Sequence, residues 1–231
     1  AEGVRGQGLD VVDLGLASTD LLYFASGKLG APGAMFTASH NPAQYNGIKM
    51  CLAGAKPIGE ESGLREIKAL AEQHLPHGDV HGALSSLDLL DAFATHVRTF
   101  IDTSTVRPLK IVADTANGMG GLVVPAVFAG LPFELEILYP ELDGTFPNHP
   151  ADPIQPENQR DLIARVLETG ADIGLAFDGD ADRVFLVDET GRGVSGSLTT
   201  ALVASRVLAR DPGATIIYNL ICSKAVPEVI T

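Results

Sequence analysis

Basic side chains are scarce in this sequence: 16 Lys and Arg stand against 29 Asp and Glu, a formal net charge of −13. Nucleic-acid backbones are held by clustered cations, so no nucleic-acid partner is expected, whereas a small phosphate ligand needs only a few local cations. No run of about 18 apolar residues occurs, and a membrane-spanning helix is not expected. The chain does not open on Met, and no charged-then-apolar leader follows. It starts on "AEGVRGQGLD" and stops at "SKAVPEVIT", a helix interrupted in its second turn. This pattern is expected of a piece cut from a longer protein. Cysteine is represented only by Cys51 and Cys222, far apart in apolar surroundings. Two buried thiols in a cytoplasmic protein are expected, since a disulfide framework would be denser. There is no short-period repeat and no low-complexity tract.

Apolar residues are plentiful. They make up 45% of the 231 residues, enough for a real core in one large domain or two ordinary ones. Strands are expected at 9–15, 33–39 and 46–54. A helix over 62–73 places Leu64, Ile67, Leu70 and Ala71 on one stripe. The segment "HLPHGDVHGALSS" reads as a linker. Helical spacing returns with Leu89, Phe93, Val97 and Phe100, where Ser86 or Asp88 is placed to cap. From Pro108 onward strands alternate with helices. "LKIVAD", "FELEILY" and "ADIGLAFD" are strands, "LVVPAVFAGL" is a helix despite Pro125, and "NQRDLIARVLETG" is a helix closed by Gly170. Five prolines keep 140–156 irregular. "RVFLVDETGRGV" reads as a hairpin, "SLTTALVASRVLAR" as a helix and "ATIIYNL" as a last strand. The alternation predicts α/β architecture: consecutive mixed α/β domains with mostly parallel sheets flanked by helices.

The sharpest chemical signal is "FDGDADR". Asp178, Asp180 and Asp182 follow directly on the strand "ADIGLAF". Three carboxylates within five residues repel one another unless a cation joins them. The small Gly179 and Ala181 let the backbone curl so that all three can point one way. Oxygen donors suit Mg²⁺, Mn²⁺ or Ca²⁺, and the end of a buried strand is where α/β sheets place ligands. An EF-hand is excluded despite Glu189 at its twelfth position: Arg183 stands where that loop needs glycine, and the flanks are strands. Mg²⁺ suits the loop best, because it needs few protein ligands and accepts a phosphate oxygen. Arg183 either balances the acidic charge or grips a substrate phosphate.

A second signal is "AMFTASHNP", residues 34–42. Pro42 forces Asn41 out of helical geometry, so the Ser39 hydroxyl is exposed at the end of an apolar strand. His40, the next residue, is expected to point elsewhere, and no Ser-His-Asp pattern is present. A hydroxyl facing a divalent ion suggests a serine that carries a phosphoryl group, provided that the two segments meet; a plain capping serine is the other reading. "TANGMGG" (115–121) fails the dinucleotide-binding pattern at Val123 and reads as tight strand-to-helix packing. His74, His77 and His81 are broken up by Pro76 and Gly78 and are not read as a zinc site. His149 is left unassigned, and His96 is placed on an exposed helix face.

Together, "TASHNPAQYNGIK", the later "DGDADR" and the intervening "DGTFPNHPADPIQPEN" closely resemble the α-D-phosphohexomutase superfamily, most of all its bacterial phosphomannomutase/phosphoglucomutase branch. The resemblance covers essentially the whole sequence. It implies a four-domain protein, of which this sequence holds a phosphoserine-loop domain (1–84, incomplete at its start), a metal-binding-loop domain (85–192) and the beginning of a third (193–231). It implies a phosphoserine at Ser39 and Mg²⁺ held by Asp178, Asp180 and Asp182 against the Ser39 phosphate. His40 and Lys49 would serve proton transfer or phosphate contact, and Arg183 would position phosphoserine or sugar phosphate. The reaction implied is exchange between hexose 6-phosphate and hexose 1-phosphate through a bisphosphorylated sugar, with glucose 1,6-bisphosphate as activator. Mannose and glucose phosphates are the expected substrates, with glucosamine phosphate as the nearest rival. The family's early arginine segment, its sugar-reading loop and its distal phosphate loop lie outside these residues. A non-catalytic sugar-phosphate or metal-binding module, or a calcium-binding structural domain, therefore stands beside the enzyme as an alternative. Nothing in the sequence fixes the oligomeric state.

Overall fold

The computed structural model describes residues 1–73, 78 and 80–231. The first part opens with a short helix α1 (Glu2–Arg5) and strand β1 (Val11–Asp13), followed by helix α2 (Thr19–Leu29). Strands β2 (Gly33–Phe36), β3 (Ile48–Leu52) and β4 (Lys56–Pro57) form an antiparallel sheet in that order. Helix α3 (Leu64–Ala71) and strand β5 (Leu84–Ser86) complete this part.

Helix α2 was not anticipated, although its signals are ordinary. The buried Ser18 caps it by accepting the Leu21 amide at 3.2 Å, and Gly30 closes it in the left-handed conformation at φ 62°. The expected linker proves to contain β5, which pairs in parallel with β1. Its last two residues are serines, so the ladder rests on backbone hydrogen bonds that no apolar alternation announces. The remainder of that stretch, with His74 and His77 of the weighed histidine group, includes 74–77 and 79, which lie outside the described residues.

The second part is built on a five-stranded sheet ordered β10-β9-β8-β6-β7. Its elements run α4 (Leu90–Arg98), β6 (Leu109–Asp114), α5 (Gly120–Phe128), β7 (Phe133–Leu138), α6 (Arg160–Thr169), β8 (Ile173–Phe177), β9 (Val184–Asp188) and β10 (Gly193–Val194). Strand β6 pairs in parallel with both β7 and β8, while β8, β9 and β10 run antiparallel. Alternation along β6 divides the core. Ile111 and Ala113 pack with Val124 of α5, and Val112 packs on the other face with Leu162 and Val166 of α6. The sheet is thus covered by helices on both sides, as α/β architecture requires. A third cluster of Leu21, Phe93 and Val123 joins α2 to α4 and α5 and so fastens the first part to the second.

Helices α7 (Gly196–Arg210) and α8 (Ala225–Ile230) pack on each other. The strand expected over 214–220 is not formed. A strand is completed only by a neighbour, no described strand pairs with this segment, and Ile217 is 90% exposed. One smaller alternative is decided and one expectation revised. The Leu90 amide is taken by Asp88 rather than Ser86, at 2.9 Å, and Cys222 is half-buried where Cys51 is buried. Both thiols are free. No described helix is long and apolar enough to cross a membrane.

Candidate active site and metal centre

The acidic residues hang from the hairpin connection between β8 and β9, which is closed by the Phe177–Val184 pair. Within it the Asp178 amide donates to the Arg183 carbonyl at 3.3 Å, and Ala181 adopts the left-handed conformation at φ 57°. Asp178 Oδ1 accepts the amides of Asp182 and Arg183 at 3.2 and 3.1 Å. The curl brings one oxygen from each of Asp178, Asp180 and Asp182 within 4.8 Å of one another.

The serine loop arrives from the other sheet. It connects β2 to β3, and Ser39 stands at φ 54°. Its hydroxyl donates to Asp178 Oδ2 at 2.9 Å across 139 residues of sequence. His40, expected to point away, turns back so that Nδ1 lies 3.4 Å from Ser39 Oγ. The two loops touch through backbone as well. A Cβ on Gly179 would collide with the Ser39 carbonyl oxygen, so only glycine lets the serine loop settle there. On its other side Gly179 accepts the Met119 amide at 2.9 Å, and Gly118 approaches so closely that a Cβ there would stand 2.6 Å from the Gly179 oxygen. "TANGMGG" is therefore a packing element beneath the acidic loop.

Lys49, on β3, reaches Asp180 Oδ2 and Asp182 Oδ2, each at 2.7 Å. Arg183 lies more loosely beside Asp178 and Asp182, at 3.7 and 3.8 Å. All seven residues singled out from the sequence thus fall in one cluster. Two that were not singled out join them. Thr19 and Thr37 both donate to Asp180 Oδ2, at 2.8 and 3.0 Å, and Thr37 Oγ1 also accepts the Ser39 amide at 2.9 Å. Thr37 opens the "TASH" stretch. Thr19 could have been found from Ser18 as an N-cap ahead of Leu21 and Leu22.

The electrostatics of the cluster are uneven. Burial pushes Asp178 up to about 6, the charges of Asp180 and Asp182 add to this, and the Ser39 hydroxyl opposes it. Burial also acts to raise Asp180, but hydrogen bonds from Lys49 and Thr19, the Lys49 charge and Thr37 outweigh it and hold the carboxyl below its usual range. Burial acts to lower Lys49, and its bonds to the two aspartates more than offset this. Asp20, in the first turn of α2, is raised by burial and by the neighbouring Asp182 charge.

The donor set fits a hard divalent cation. It consists of carboxylates with a hydroxyl beside them, and Asp180 Oδ1 is buried without any hydrogen-bond partner. A buried carboxylate oxygen left bare is costly, and an ion among the three aspartates would satisfy it.

Two family models match the chain. "Phosphoglucomutase/phosphomannomutase, alpha/beta/alpha domain I" covers residues 1–76, and domain II of the same family covers 90–192. The chain belongs to the α-D-phosphohexomutase superfamily. It is 40% identical over 240 residues to a phosphomannomutase of Escherichia coli, with 100% of this chain and 53% of that protein aligned. A phosphomannomutase/phosphoglucomutase of Pseudomonas putida is 41% identical over 233 residues, covering 99% and 49% of the two chains. The crystal structure of a phosphoglucomutase/phosphomannomutase family protein from Burkholderia thailandensis superposes with a TM-score of 0.85 at 37% identity, over 98% of this chain and 51% of that one. The chain spans about half the length of these relatives. The family match runs through both loops of the cluster.

Proposed function

We propose that the protein works as a Mg²⁺-dependent phosphohexomutase that interconverts hexose 6-phosphates and hexose 1-phosphates, with mannose and glucose as the sugars. One observation carries this reading: the Ser39 hydroxyl lies 2.9 Å from Asp178 Oδ2, in a cluster of acidic and cationic side chains. In the working state Ser39 bears a phosphoryl group. A sugar hydroxyl attacks that phosphorus, the bond to Ser39 Oγ breaks, and the sugar becomes a bisphosphate. Its other phosphoryl group then returns to Ser39 Oγ, the sugar oxygen departs, and the phosphoserine is restored. Glucose 1,6-bisphosphate activates by loading Ser39 in the same way.

Asp178, Asp180 and Asp182 would hold the ion, which when bound offsets charge on the phosphoryl oxygens. The side chains divide the remaining work. In the unphosphorylated state Asp178 Oδ2 accepts the hydrogen bond that the Ser39 hydroxyl donates. His40 Nδ1, at 3.4 Å from Ser39 Oγ, is placed to exchange a proton as the serine oxygen is attacked or released. Lys49 and Arg183 supply cationic donors on two sides of the cluster and steady the transferred group. The two free cysteines fit a cytoplasmic location. The reading is tested by incubating the protein with mannose 1-phosphate and catalytic glucose 1,6-bisphosphate. Mannose 6-phosphate forms with Mg²⁺ and not with EDTA; no product under either condition would overturn it.

A further inference from the structure

We infer that Thr19 is a positioning residue that sets the rotation of the Asp180 carboxylate, so that one oxygen is spent on the protein and the other is kept for a cation. The inference rests on reading the acidic cluster as a metal centre. The two oxygens of Asp180 are treated very differently. Oδ2 accepts from Thr19, Thr37 and Lys49, at 2.8, 3.0 and 2.7 Å. Oδ1 is buried and accepts from nothing, although Asp180 as a whole is only 2% exposed. A buried carboxylate turns toward whichever donors are available. Here all the side-chain donors stand on one side, so the bare oxygen is held on the other.

Among these donors Thr19 holds Asp180 at both ends. Its amide donates to the Asp180 carbonyl at 3.1 Å, and its hydroxyl donates to Oδ2. It is itself fixed, being 1% exposed at the capped start of α2, whose Leu21 packs with Phe93 and Val123 of the second part. The Thr19 oxygen also accepts from Lys49 Nζ at 3.2 Å, which keeps that ammonium beside the same carboxylate oxygen. Thr19 thus acts through Asp180, as residues behind metal ligands orient the ligands themselves.

Mn²⁺ binding to the dephosphorylated protein, followed by the electron-spin signal of free Mn²⁺, reads this directly. Thr19→Val keeps the shape and removes the hydroxyl; Mn²⁺ affinity is expected to fall by about 10- to 100-fold. Thr19→Ser keeps the hydroxyl and is expected to bind within about twofold of wild type. A valine variant that binds like wild type, or a serine variant that loses affinity tenfold, overturns the inference, since the loss would then track packing or nothing. If valine is not tolerated in the fold, the serine result decides alone. Wild-type protein that binds no Mn²⁺ removes the metal-centre reading before any substitution is made, and this inference with it.

Discussion

Gly179→Ala is the most demanding test of the contact between the two loops. The backbone of Gly179 is outside the left-handed region, so alanine carries no conformational penalty of its own. The cost comes from what the new methyl meets. The Ser39 carbonyl oxygen lies well inside the separation real Cβ atoms keep, and Phe146 Cζ and the Ala151 Cβ stand at 3.4 and 3.5 Å on further sides. The obstructing atom is backbone and cannot swing aside, so one loop must move against the other. Overpacking of this kind costs about 1–3 kcal/mol, which corresponds to a fall in melting temperature of about 2–12 °C for a chain of this size. Ser39 Oγ and Asp178 Oδ2 are 2.9 Å apart, and a displacement of the order of an ångström at a reacting group costs about 100-fold in rate. Circular-dichroism melts and mutase turnover should therefore both report the change. Gly144→Ala, where a Cβ meets nothing within 4 Å, serves as the control. Equal melting temperatures and equal turnover in the two variants would refute the close approach of the loops.

Other substitutions probe separate parts of the site. Ser39→Ala is expected to remain folded, losing one hydrogen bond to a carboxylate worth about 1–3 kcal/mol. Intact-mass measurement is expected to show one phosphate on the wild type and none on the variant; phosphate retained in the variant would place it on another residue. Mg²⁺ at 100 times its dissociation constant should stabilise the wild type by about 2.7 kcal/mol, or about 5–11 °C in melting temperature. Asp180→Asn should abolish most of that shift, and an undiminished shift would count against the aspartate cluster as the binding site. His149 supplies a pH test. Burial acts to lower its pKa, but its hydrogen bond to Asp114 at 3.0 Å and the Asp114 charge more than compensate, so the folded value is raised above 6.5. Its stabilising contribution is full below about pH 6.5 and is lost as pH rises through the folded value. The stability gap between wild type and His149→Gln in urea melts should accordingly narrow from pH 6 to pH 9, and a constant gap would refute the pairing.

The second sheet was legible because its central strands β6 and β8 are buried on both faces and its helices carry regular apolar spacing. β6, β7, β8 and the β9–β10 hairpin fall where alternation and the "ETGR" turn place them. The failures have physical causes. "ATIIYNL" has strand chemistry, but no described neighbour pairs with it. β5 has a neighbour but an undistinguished pattern, because Ser85 and Ser86 contribute backbone rather than burial. Both loops of the site could be read individually, the acidic one from charge crowding and the serine one from the abrupt end of an apolar strand. Their meeting could not be derived from either, since it depends on Gly179 admitting the Ser39 carbonyl and on the Leu21, Phe93 and Val123 cluster. The same limit explains Thr19. A buried threonine at a helix start looks like an ordinary cap neighbour until the partner 161 residues away is known.

Because Asp178, Asp180 and Asp182 are borne by one hairpin stitched shut by Phe177 and Val184, their backbone belongs to the second sheet, while the Asp180 carboxylate is turned from the first part by Thr19, Thr37 and Lys49. A rocking of the first sheet over the second would alter the reach of Ser39 and the hold on the Asp180 carboxylate together. Chelation and phosphoryl delivery are therefore geared to one another, since the part that carries the serine also turns the central carboxylate.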